Sequence, residues 1–119
     1  MRYQQQHNAD WVVRLGDGNA ESARRMAAAL QRAWPFVAEM FAHDAVDDAA
    51  VAQGLGPARR DLRAAWTDEV GPVLAAAGLQ APADSPYVST GTLGRHSEHM
   101  GFIVAEMQSL QRQFPGGRW

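Results

Sequence analysis

The chain has 119 residues, enough for one small domain with one modest core. Its 11 basic and 13 acidic residues leave a formal net charge of −2, so no strong electrostatic pull toward nucleic acid or membrane surfaces is expected. Every basic residue is arginine, and the absence of cysteine excludes disulfides, thiolate catalysis and cysteine-based zinc sites.

No apolar run approaches the roughly 20 residues that a membrane-spanning helix needs. The N-terminal stretch MRYQQQHNADW lacks the apolar core of a signal peptide. A soluble, cytoplasmic protein is the simplest reading.

The first element is expected over about Tyr3 to Leu15, where Tyr3, His7, Trp11, Val12 and Leu15 recur at helical spacing. Gly16 is a natural stop and Asn19 an N-cap for the second helix. That helix carries Met26, Leu30, Ala33, Trp34, Val37, Met40 and Phe41 as a wide apolar stripe. Pro35 lies inside it, removes a backbone donor and predicts a kink near 31–34 or a break and restart.

Residues 43–56, HDAVDDAAVAQGLG, are acidic and then glycine-punctuated, with room for a short helix. Asp44, Asp47 and Asp48 do not have calcium-loop spacing and read as a solvated loop. Pro57 suits the first position of a third helix striped by Leu62, Trp66, Val70, Val73 and Leu74. Gly71-Pro72 predicts a second kink, and Gly78 the end. Residues 79–95, rich in Pro, Gly, Ser and Thr, form the longest loop. A fourth helix is expected from His96 or Ser97 to before Pro115, with His96, Met100, Ile103, Met107, Leu110 and Phe114 as a packing seam. Trp34 and Trp66 sit on apolar faces and read as packing residues.

His96, Glu98 and His99 raise the possibility of a metal site. The zinc-protease motif needs histidines four apart with glutamate next to the first; here they are three apart. Continuing a helix, Glu98 would sit about 200° round from His96. Glu106 would lie about 10 Å along the axis from His99, too far to share one ion. Only His96 and His99 could share a metal, with a carboxylate such as Glu39 or Asp68 from another helix. A di-iron bundle needs inward E-x-x-H pairs. Three residues after the glutamates stand Arg24, Ala42, Pro72, Gly101 and Ser109, never histidine. Glu39 and His43, four apart, read as a helix surface pair. The residues by themselves nominate no catalytic and no cofactor-binding group.

The C-terminal string GRHSEHMGFIVAEMQSLQRQFPGGRW closely resembles the ending of the C subunits of ring 1,2-phenylacetyl-CoA epoxidases, bacterial multicomponent monooxygenases of phenylacetate degradation. The motif runs G-x-H-T/S-E-H-x-G, then A-E-M-Q-x-L-Q-R, then P-G and a terminal Trp. His96, Glu98, His99, Glu106, Met107, Gln108, Leu110, Arg112 and Trp119 match it. Upstream, DWVVRLGDGNAES, RAWPFVAEMF and DLRAAWTDEV are similar to the same family in the same order.

The resemblance implies an all-α, ferritin-like helix bundle, here its C-terminal half, with 1–119 as a single helical domain or half-domain. It implies a structural, non-catalytic subunit that binds no cofactor itself. It also implies a partner, the catalytic A subunit, which holds the di-iron centre and the acyl-CoA. The complex inserts one oxygen atom of O2 into the aromatic ring, with electrons from a reductase subunit. Tyr3 and Gln4 stand where relatives often have Tyr-His, and the preceding glutamate would fall before Met1, so no metal ligand carries over. Wide apolar faces on so short a chain predict a homo-oligomer or a partner. The alternatives are a truncated remnant without activity and an independent metal-binding domain using His96 and His99.

Overall fold

A computed structural model describes residues 1–83 and 85–118. It is helical throughout: α1 (Arg2–Gly16), α2 (Ala20–Ala33), α3 (Val37–Met40), α4 (Ala45–Ala52), α5 (Arg63–Ala76), α6 (His99–Met107) and α7 (Ser109–Gln113). Three 3-10 turns, Trp34–Phe36, Arg59–Leu62 and Gly91–Leu93, join or precede them. Among the described residues there is no strand, only an isolated bridge between Thr90 and Arg95. The all-α class expected from the sequence is the class observed.

Local chemistry sets the boundaries. Asn19 caps α2 through a reciprocal box: Ser22 N–H donates to its side chain at 2.9 Å, and the Asn19 N–H donates to Ser22 Oγ at 3.1 Å. Asp44 caps α4 the same way with Asp47. Pro35 cannot donate to the helix ladder, so α2 stops at Ala33, tightens into the 3-10 turn and restarts as α3. Pro72 instead lies within α5, which remains one element. Gly78 closes α5 at φ +66°, and the N–H groups of Gly78 and Leu79 satisfy the carbonyls of Ala75 and Leu74.

Three boundaries differ from the sequence expectation. Gly16 is the last residue of α1 and does not act as a left-handed stop; it is buried. A Cβ there would lie 2.5 Å from the Ala77 carbonyl oxygen, so glycine lets α1 approach the end of α5. The third helix begins with the 3-10 turn at Arg59, two residues after Pro57. The fourth begins at His99, and a break at Gln108 divides it into α6 and α7.

Contacts divide the chain into two compact units, residues 1–89 and 90–119. In the first, α1 packs against both α2 and α5, yet among the described residues the buried apolar ones are only Ala58, Leu74 and Ala77. In the second, the turn at 91–93 is closed by Gly94 at φ +83° and leads into α6 and α7. No large side chain among the described residues is completely buried.

The chain exposes 9611 Å². A compact 13.0 kDa globule exposes about 6,300 Å². Two separate globules of 89 and 30 residues would together expose about 7,500 Å². Large apolar side chains such as Tyr3, Phe102 and Met107 are among the exposed residues.

Candidate functional site

The first unit holds an open groove of about 610 Å³ between α1, α2 and α5. Ala9 and Val12 of α1, Met26 and Leu30 of α2, and Val70 and Val73 of α5 line it. Trp34 and Trp66 stand at its margin with ring centroids 5.8 Å apart, and Phe41 meets Trp66 edge-on at 5.5 Å. The tryptophans thus pack on each other, as their apolar faces predicted. Among the described lining residues only Glu69 is ionisable, with Gln5 and Asn8 as neutral polar groups. Such a groove is suited to apolar side chains; it assembles no pair of groups that could share proton transfer.

A polar cluster joins α4 to the turn at Arg59. Arg59 grips Asp47 with two hydrogen bonds, Nε to Oδ1 at 2.7 Å and Nη2 to Oδ2 at 2.6 Å. Its Nη2 is also 3.7 Å from Asp44. The Arg59 hydrogen bonds hold the Asp47 carboxyl down at about 2, against an opposing push from partial burial. The same pairing pushes Arg59 up. His43 Nε2 lies 2.7 Å from Asp48 Oδ1, while its Nδ1 is buried without a hydrogen-bond partner, 3.9 Å from Asp47. The Ser89 hydroxyl donates to Glu39.

These contacts correct two expectations. Asp44 and Asp47 are half-buried cap and clamp residues, not a solvated loop. Glu39 and His43 share no helix face, because α3 ends at Met40. The D-x-x-D spacing of a capping box was the legible signal at Asp44. Nothing local marks Arg59, twelve residues beyond Asp47, or Ser89, fifty beyond Glu39.

The C-terminal motif residues lie in the second unit. His96 precedes the helix and His99 is its first residue, so the helical spacing assumed for them is absent. His99 Nε2 is 4.0 Å from Glu98, and both are exposed. Among the described residues no group of three or more His, Asp or Glu is placed to hold a metal. Glu106 is exposed on α6, and Arg112 Nη2 donates to Gln108 at 2.7 Å across the break. Phe102 and Met107 are 75% and 78% exposed, and Met100, Ile103, Leu110 and Phe114 are exposed as well. Trp119 lies outside the described residues.

The phenylacetic acid catabolic protein family model matches residues 1–119. The chain belongs to this family. The C subunit of 1,2-phenylacetyl-CoA epoxidase from Escherichia coli (strain K12) is 40% identical over 118 residues, which cover 99% of this chain and 48% of the relative. The chain spans about half the length of the curated relative it matches.

Membership bears out the resemblance read from the C-terminal string, and the helical structure accords with the ferritin-like bundle expected of a phenylacetic acid catabolic protein. Among the described residues no helix is long and apolar enough to cross a membrane. The candidate site of this family member is accordingly a set of surfaces: the groove of the first unit and the apolar face of α6 and α7.

Proposed function

We propose that this chain serves phenylacetate catabolism in the cytoplasm as a non-catalytic, structural subunit. Its partner would be the di-iron catalytic A subunit of a phenylacetyl-CoA 1,2-epoxidase. The observation that carries this reading is the face of α6 and α7. It displays Met100, Ile103, Met107 and Leu110 along the stretch that carries the C-terminal motif. Glu98, His99, Glu106 and Arg112 are exposed in the same segment. An apolar centre within a polar rim is the anatomy of a protein interface.

In this reading the chain supplies shape. Its apolar face excludes water from the joint with the catalytic partner, and its rim charges fix the register. The oxygen chemistry belongs to the partner. The test is co-expression with the catalytic A subunit from the same source, affinity capture and sizing of the product. A stoichiometric complex that Ile103→Ser dissolves is expected. A folded chain that never associates would overturn the proposal and favour a remnant without activity.

A further inference from the structure

We propose that His43 is a proton-operated latch at the start of α4. Its protonated ring donates to Asp48 through Nε2 and to Asp47 through Nδ1, whereas its neutral ring keeps only the first of these bonds.

The contacts of the ring support this. The His43 side chain is 14% exposed and stands just ahead of the Asp44 cap, between α3 and α4. Nε2 lies 2.7 Å from Asp48 Oδ1. An ionised carboxylate only accepts, so Nε2 carries the hydrogen. In a neutral ring Nδ1 is then a bare lone pair. Among the described residues it is the buried side-chain polar atom without a hydrogen-bond partner. Asp47 Oδ2 stands 3.9 Å from it. That oxygen already accepts from Arg59 Nη2 at 2.6 Å and from the Asp44 N–H at 3.0 Å, and it has nothing to donate. Two acceptors therefore face each other, and a buried acceptor left unmatched costs stability.

A second proton on the ring reverses the sign of that contact. Nδ1 becomes a donor, and closing the gap to a charge-assisted hydrogen bond takes a movement of about 1 Å. The ring then ties two carboxylates of the first turn of α4 to the segment that enters it. Histidine is the side chain whose charge ordinarily changes between pH 5 and 8. Asp47, which titrates at about 2, stays ionised throughout that range.

The charges around the ring pull both ways. Asp44, Asp47 and Asp48 of α4 favour a cation there, and Glu39 of α3 adds a carboxylate on the side of Arg59. Against it stand the Arg59 guanidinium and the positive end of the α4 dipole, which amounts to about half a charge. Arg59 is itself engaged by Asp47 and, at 3.7 Å, by Asp44. Three carboxylates on α4 outweigh one paired guanidinium and half a charge. The protonated form is held at two points, so its contribution is present at the acid end of this range and is lost as pH rises. The latch is independent of the proposed function, since it uses no residue of α6 or α7.

The test is thermal melting of the purified full chain, followed by circular dichroism at fixed ionic strength from pH 8 to pH 5.5. Over that interval the midpoint of the parent chain should rise by about 4 °C more than that of His43→Gln, which keeps a donor but takes up no proton. Asp48→Asn is the second variant. Asp48 is 71% exposed, so its replacement should leave the fold intact while cutting the rise by about half. Imidazole nitrogen NMR at pH 8 should show His43 with its hydrogen on Nε2. An equal pH response in the parent chain and His43→Gln would overturn the proposal, as would a hydrogen on Nδ1 at pH 8. If His43→Gln does not fold, Asp48→Asn decides: a reduced rise supports the latch and an unchanged one overturns it.

Discussion

The end of α5 and the face of α6 show two ways of using apolar residues. Near Ala77, glycine at position 16 removes a side chain so that α1 can close on Leu74 and Ala77, which are buried. Along α6, residues just as apolar stand in solvent. The stretch richest in the family motif is thus the least covered. Its residues are exposed among these helices, as the proposed partner role requires.

Identical substitutions placed in the two regions sharpen the contrast. Leu74→Ala should cost about 3 kcal/mol in urea unfolding, whereas Leu110→Ala, half exposed, should cost less than about 0.5 kcal/mol. Comparable losses would mean that α7 is packed after all. Gly16→Ala should destabilise by about 1–3 kcal/mol, because the new Cβ meets the Ala77 backbone. Gly101→Ala has open space around it and should raise helicity slightly, by about 0.5–1 kcal/mol of helix propensity.

The Arg59–Asp47 clamp gives a test by pH. Asp47 titrates at about 2 in the folded chain against an ordinary value of 3.8. A depressed carboxyl stabilises the fold above its unfolded value and ceases to do so as pH falls through the folded one. Stability should therefore decline between about pH 4 and pH 2, and Arg59→Met should flatten that slope in thermal melts. Ser89→Ala should cost about 1 kcal/mol, since Glu39 loses one bond and keeps other interactions.

What could be read from the sequence was local. Asn19 as a cap, Pro35 as a break and Gly78 as a stop follow from rules that span four residues, and they hold. The family was legible in the 94–119 string. What escaped depends on distant neighbours. Gly16 acts through Ala77, and Arg59 through Asp47. The start of the last helix was misplaced because His96 continues the stripe in phase, although the chain enters its helix only after the Thr90–Arg95 turn. That error had also set His96 and His99 on a common helix face.

The break at Gln108 has a kinetic consequence. It leaves α6 with nine residues and α7 with five. Helices shorter than about 12 residues barely hold in water, because nucleation costs more than a few backbone bonds return. With so little burial to support them, the amides of 99–113 should exchange with solvent earliest, ahead of those in α1, α2 and α5. Engagement by a partner would appear first as a slowing of that exchange, with the helix wound to completion on the surface that receives it.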